Sequence, residues 1–245
     1  MLHLIGLGLN DEGDIAAKAL AALKRCDEVY AEFYTSAWKG DINKLEKEIG
    51  RKIRLLKREE VESDFLVNRA TGRSVAMLIP GDPLTATTHI DLLARARKAG
   101  IEVRVIHASS IYTAVAECGL QLYKFGRTTT LPRVEKGFAP TSPYEIIAEN
   151  LKVGLHSLVL LDIPMKIAEG LQRLLEMEEK LRLGIVSSSS KVVACAALGG
   201  DEQVIKYGTI EALARAGIAL TPACIIVPGK LHFSEEEVLE LYELK

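Results

Sequence analysis

The stretch from Ser74 to Lys98 sets the terms for the whole chain. Ser74-Val-Ala-Met-Leu-Ile79 is a short, continuous apolar run with the look of a buried strand. Pro80-Gly-Asp-Pro83 follows, and prolines on both sides of Gly81-Asp82 make the turn stiff. From His89 to Lys98 apolar residues recur at helical spacing, and Gly100 suits the position just past the helix end. A rigid turn between a strand's carboxyl end and a helix is where open α/β sheets bind ligands. Pro-Gly and Gly-Asp-Pro are also ordinary turn chemistry, so spacing alone leaves a plain connecting turn equally open.

The same grammar opens the chain. His3 to Leu9 is apolar, Asn10 to Asp14 is a polar turn, and Ile15, Ala19, Leu20 and Leu23 follow at helical spacing. Asp14 suits the N-cap of that helix. Val29 to Tyr34 is extended again, which gives strand, turn, helix, strand, the start of a parallel sheet. Helices are expected over Ile42–Ile49, Arg58–Ala70 and Ile111–Glu117, and strands over Arg51–Leu56 and Ile101–Ile106.

The second half reads differently. Arg127–Leu131 is a strand candidate, and a Pro/Gly-rich loop runs from Pro132 to Pro143. A helix follows, with Ser142 as N-cap and Gly154 as its stop. His156–Leu161 reads as a strand and Ile167–Leu183 as a helix. Arg182–Val186, Lys191–Leu198, Gln203–Tyr207 and Ala223–Val227 are strand candidates, several of them too close together for helices between, so antiparallel pairing is expected. Phe233–Tyr242 ends the chain as a helix, with Ser234 at the N-cap and Glu237 completing a capping box. The expected architecture is α/β in two domains, residues 1–110 around a mostly parallel sheet and 111–245 around a mixed one.

Composition excludes several classes. A net charge of -2 gives no electrostatic case for nucleic acid or an anionic membrane. No apolar run approaches the roughly 18 residues that span a bilayer. The start lacks the charged region and cleavage site of a signal peptide. Cys26, Cys118, Cys195 and Cys224 form no C-x-x-C pair, which argues against a disulfide framework or zinc site and for a reducing cytoplasm.

Gly6-Leu-Gly8-Leu-Asn-Asp11 tests for a dinucleotide. The fingerprint wants glycine where Asp11 stands, and a carboxylate there repels a pyrophosphate. There is no G-x-S-x-G elbow, no Walker A loop and no histidine pair at metal-ligand spacing. What remains is a set of strand ends with small or polar residues: Leu7–Leu9, Pro80–Asp82, Ala108–Ser110 and Leu161–Asp162. In a parallel sheet they line one edge, suited to a mostly apolar cofactor held by backbone groups. His89 and His107 lie near that edge. Tyr30, Tyr34 and Trp38 are open to either a substrate-side or a core role.

Met1-Leu-His-Leu-Ile-Gly-Leu-Gly-Leu9, Tyr30-Ala-Glu-Phe-Tyr-Thr-Ser36, Pro80 to His89 and His107 to Val115 resemble the diphthine synthases. Tyr123-Lys-Phe-Gly126, Pro140-Thr-Ser142 and Ile226-Val-Pro-Gly-Lys-Leu-His232 extend the resemblance to the whole chain. It implies the tetrapyrrole-methylase fold, two α/β domains with the cofactor in the cleft between them. It implies S-adenosyl-L-methionine as cofactor, S-adenosyl-L-homocysteine as product, no metal, and a homodimer. The implied reaction methylates the amino group of the 3-amino-3-carboxypropyl-modified histidine of translation elongation factor 2, giving diphthine. Cofactor contacts are implied at Leu9, Asp82, Thr85, Ser110, Ile111, Leu161, Leu198 and Ala223, several through the backbone. Asp82 is expected to bind a cofactor hydroxyl or amine.

Two segments depart from the family pattern, Asp162-Ile-Pro-Met165 and Ala196-Ala-Leu-Gly-Gly200. They bear on substrate contacts more than on the cofactor fold. A corrin carbon methyltransferase and an inactive binding module stay open as alternatives. Removal of the amine proton is open to Asp82, Asp162 or His107, and the sequence does not choose.

Overall fold

The computed structural model describes residues 1–134 and 139–244, so residues 135–138 of the expected Pro132–Pro143 loop lie outside the described residues. The chain forms two compact units, Met1–Tyr112 and Thr113–Lys245.

The first unit is built on β1 (Leu2–Gly6), β2 (Glu28–Ala31), β3 (Ile53–Leu55), β4 (Val75–Ile79) and β5 (Val103–Ile106), in the order β3-β2-β4-β1-β5. Every pairing is parallel. α1 (Ala17–Leu23) and α2 (Ile42–Ile49) cover one face, against Ile5, Val29, Ala76 and Leu78. α3 (Arg58–Glu62), α4 (Phe65–Arg69) and α5 (Ile90–Lys98) cover the other, against Leu2, Leu4, Val75, Met77 and Ile79. β4 is therefore buried on both faces, which is why its sequence is apolar without alternation.

The expected single helix from Arg58 to Ala70 is broken. Ser63 is extended, and its hydroxyl bonds the Glu60 carbonyl and accepts from the Phe65 amide. Arg95 donates to the Ser63 carbonyl and to Asp64. A serine that bonds its own backbone, held by a guanidinium from α5, outweighs the helical periodicity.

α6 (Ile111–Ala114) runs across the division. The second unit contains β6 (Thr129–Leu131), β7 (Ser157–Leu161), β8 (Lys191–Ala196), β9 (Val204–Thr209) and β10 (Ala223–Val227), ordered β6-β7-β10-β8-β9. Only β6–β7 is parallel, so the sheet is mixed. α7 (Ser142–Lys152), α8 (Ile167–Leu181) and α9 (Ile210–Arg215) pack on one face, and α10 (Phe233–Leu241) ends the chain.

Arg182–Val186 is not a strand. Arg182 closes α8 in a left-handed conformation (φ 53°), and Glu178 accepts from the amides of Gly184 and Ile185 at 2.8 and 3.1 Å. A carboxylate from the last turn of α8 takes the segment's amides, so they are not free for a strand ladder. β8 stops at Ala196 rather than Leu198, because Ala197 turns at φ 51°. The caps also shift: Thr141 precedes α7 in place of Ser142, and His232 caps α10 with Glu235 in place of the expected Ser234–Glu237 pair. No helix among the described residues is long and apolar enough to cross a membrane.

Candidate functional site

In the first unit β1 and β4 lie side by side, yet the chain leaves them for opposite faces, β1 toward α1 and β4 toward α5. That is a topological switch point, where an open sheet parts its loops and leaves a crevice. Here the two loops are joined by backbone: Leu7 N to Ile79 O at 2.8 Å, Gly81 N to Gly8 O at 2.7 Å and Gly8 N to Gly81 O at 3.3 Å. Gly8 and Gly81 have φ of 81° and 67°, a region that residues with a Cβ rarely adopt. A Cβ on Gly81 meets nothing within 4 Å, so open space lies beside these strand ends.

The loop after β1 keeps its amides for itself. Asp11 accepts from Gly13 N at 2.8 Å, and Asp14 from Asn10 N at 2.7 Å. Asp14 therefore does not cap α1, whose N-cap is Ala16 without a side-chain bond. Residues Glu12–Asp14 form a 3-10 turn capped by Asp11, and that turn displaces the helix start. Leu9 is half-buried in the same loop.

Asp82 is buried, and both its oxygens are engaged. Oδ1 accepts from Leu84 N at 3.0 Å and from the Thr85 hydroxyl at 3.4 Å. Oδ2 accepts from Ala108 N at 3.3 Å and meets His107 Nδ1 at 2.7 Å. β4 and β5 are not neighbours, since β1 lies between them, so these bonds close over the end of β1. Gly6 stands there: its Cβ would lie 2.5 Å from Gly81 O and 2.7 Å from Ala108 Cβ. Ser110 is buried and Ile111 half-buried, three and four residues past His107. Leu9, Asp82, Thr85 and Ser110 thus sit on the loops that leave three adjacent strands, and Ile111 opens α6 directly after the last of them.

In the second unit Leu161, Leu198 and Ala223 are buried. Leu160 pairs with Cys224 and Ala223 with Ala196. Ala197 N reaches Pro222 O at 2.9 Å. The three expected residues therefore meet at one end of β7, β10 and β8. Asp162, one residue past β7, is exposed and accepts from Arg133 N at 3.3 Å.

Sequence reasoning missed Glu32. It follows β2 and is fully buried, with Tyr34 N and Thr35 N at 3.0 Å from its Oε2 and the Thr35 hydroxyl on Oε1. His89 Nε2 lies 3.7 Å from Glu32 Oε1 and has no hydrogen-bond partner, while its Nδ1 meets the Thr87 hydroxyl at 2.7 Å. Burial pushes the Glu32 carboxyl up and the His89 imidazole down to about 4. The one available signal was an acid amid the apolar Tyr30-Ala-Glu-Phe-Tyr34.

Of the three aromatic candidates, Tyr30 is core, with its hydroxyl on Glu28 at 2.6 Å. Trp38 stacks on Phe33 at 5.6 Å. The Tyr34 hydroxyl is buried without a partner, with the Arg58 guanidinium 5.2 Å from its ring.

Residues 1–214 match the family model of Tetrapyrrole (Corrin/Porphyrin) Methylases. The diphthine synthase of Methanothermobacter thermautotrophicus is 46% identical over 98% of this chain and 94% of its own length. That of Methanocaldococcus jannaschii is 44% identical over 98% of both. A crystal structure of a diphthine synthase superposes with a TM-score of 0.90 at 33% identity, covering 99% of this chain and 95% of the other. Agreement along nearly the whole length, in sequence and in fold, makes this chain a member of the diphthine synthase family within the tetrapyrrole methylases.

Proposed function

We propose that this protein transfers methyl groups from S-adenosyl-L-methionine to the amino group of the 3-amino-3-carboxypropyl-modified histidine of translation elongation factor 2, yielding diphthine, and that it works as a homodimer. The supporting observation is the near full-length match to diphthine synthases together with a switch point whose backbone is open at Gly81.

The residues fit the cofactor. Glycines at the crossing loops let a ligand approach the main chain, and open space beside Gly81 offers room for it. Leu9, Ser110 and Ile111 offer main-chain groups and Asp82 and Thr85 polar side chains, while Leu161, Leu198 and Ala223 are proposed as contacts on the family resemblance alone. When bound, the cofactor supplies a sulfonium with a transferable methyl. A neutral amine that attacks in line moves charge from sulfur to nitrogen without creating any. Alignment and exclusion of water then account for most of the acceleration.

The test uses methyl-labelled cofactor and elongation factor 2 that carries the unmethylated arm. Label on the arm's nitrogen is expected. Label in a precorrin instead, or none on the factor, sinks the reading. S-adenosyl-L-homocysteine at ~100 times its Kd should add about 2.7 kcal/mol of stability.

A further inference from the structure

We infer that His107 is the general base that frees the substrate amine for attack and that Asp82 orients it, an inference that rests on the function proposed above. A primary amine near neutral pH is largely ammonium and has no electron pair to give. One proton must leave before each transfer.

Three groups near the strand ends were open to that task. Asp82 is only 8% exposed and already takes Leu84 N, the Thr85 hydroxyl, Ala108 N and His107. Asp162 is exposed, with one backbone amide on it. A solvated carboxylate is a poorer acceptor for an ammonium proton than an imidazole. His107 has both a partner and access.

Its Nδ1 lies 2.7 Å from Asp82 Oδ2. An ionised carboxylate only accepts, so Nδ1 carries the hydrogen and the electron pair is left on Nε2. The His107 side chain is 69% exposed, which leaves its outer edge free to meet a substrate. Asp82 is itself fixed by two amides and a hydroxyl from two loops. Nucleophile activation by a base that a buried acid holds in one tautomer recurs across enzymes. Among the described residues, Asp82, from the loop after β4, is the charged side chain paired with His107.

In the step, His107 Nε2 takes one proton from the ammonium. The freed nitrogen pair forms the bond to the methyl carbon as that carbon's bond to sulfur breaks. The breaking bond's electrons stay on sulfur, which becomes a neutral thioether. The proton on Nε2 then passes to water.

Two measurements test this. In nitrogen-15 NMR of the intact protein, His107 should show hydrogen on Nδ1, and a resting Nε2–H tautomer overturns the proposal. In turnover with modified elongation factor 2, His107→Ala should lower kcat by ~100-fold near neutral pH. The deficit should shrink as pH rises toward neutrality of the amine, and added imidazole should restore rate. His107→Gln should be as slow while keeping the wild-type melting temperature and S-adenosyl-L-homocysteine affinity. A deficit constant with pH and untouched by imidazole marks a merely structural role and overturns the proposal. If wild type transfers methyl and His107→Ala matches it, only this inference falls. If wild type transfers none, the function falls and this inference with it.

Discussion

Gly8 and Gly81 bond each other in both directions, at 2.7 and 3.3 Å, both in left-handed backbone, but only one of them has room for a side chain. A Cβ on Gly8 would lie 2.3 Å from Asp14 Cβ, whereas one on Gly81 meets nothing. Gly8→Ala should therefore cost both left-handed strain and overpacking, together roughly 2–5 kcal/mol. Gly81→Ala should cost only the strain, about 1–2 kcal/mol. Its methyl enters the space assigned to the cofactor, so S-adenosyl-L-homocysteine should bind at least ~10-fold more weakly, a loss of about 1.4 kcal/mol. Urea unfolding and calorimetric titration read the two effects separately. Normal binding by Gly81→Ala would place the cofactor elsewhere.

Gly6 offers a sharper probe of the closure over β1. Alanine there pushes against Gly81 O and Ala108, the residues on either side of the Asp82 bridge. Overpacking of about 1–3 kcal/mol is expected. The His107 Nδ1–H resonance should lose its carboxylate-bonded shift, because the two loops part. An unchanged resonance would show that the bridge does not depend on a bare strand end.

The buried pair of Glu32 and His89 makes stability depend on pH in two opposed ways. Burial holds the His89 imidazole at about 4, below its ordinary value of 6.5. Between those values the unfolded chain binds more protons, so stability falls as pH drops from 6.5 to 4, by about 3 kcal/mol in all. The Glu32 carboxyl is pushed up by burial, with the Thr35 hydroxyl, the Thr35 and Tyr34 amides and Arg58 acting against the rise. Its contribution is lost as pH rises from the ordinary value through the raised one. Urea midpoints across pH should show a flatter acid slope in His89→Asn and a steeper one in Glu32→Gln. Parallel curves for all three proteins would rule the pair out as the source.

Much of the first unit was legible because its central strands β1 and β4 are buried along their whole length and its helices on one face. The apolar run of β4 and the stiff turn after it follow from local sequence. Two of the misreadings share a cause: a side chain from outside the segment decides the backbone. Arg95 on Ser63 and Glu178 on Gly184 and Ile185 are contacts that no periodicity carries.

The site was half legible for a related reason. That Asp82 sits in a rigid turn can be read from Pro80 and Pro83. That its partner is His107, 25 residues away and across an intervening strand, depends on strand order. The family motifs also mix roles. Pro80–His89 and His107–Val115 carry the switch-point loops, while Tyr123–Gly126 and Ile226–His232 serve a buried network. Lys124 pairs with Glu235, and Gly126 is bare because a Cβ would fall 2.1 Å from Asn150 Oδ1.

Glu235 is the centre of that network and the place where its strength can be measured. The side chain is fully buried, and burial acts to raise its carboxyl. Lys124, the amides of Gln121 and His232, and His156 nevertheless hold it down at about 2. His156 Nε2 lies 3.1 Å from Glu235 Oε1, and His156 Nδ1 accepts from Gly229 N at 2.9 Å. The contribution is therefore present above the ordinary carboxyl value of 4.5 and is lost as pH falls toward 2. Glu235→Ala leaves the Lys124 ammonium with only the Lys230 carbonyl, at 2.8 Å, and His156 Nε2 without its acceptor, and breaking one side of such a buried pair costs about 3–5 kcal/mol. Lys124→Met together with Glu235→Leu removes both charges and should recover most of that loss in urea unfolding. A double variant as unstable as Glu235→Ala would show that the carboxylate's bonds to the Gln121 and His232 amides, rather than its charge pairing, hold α10 in place.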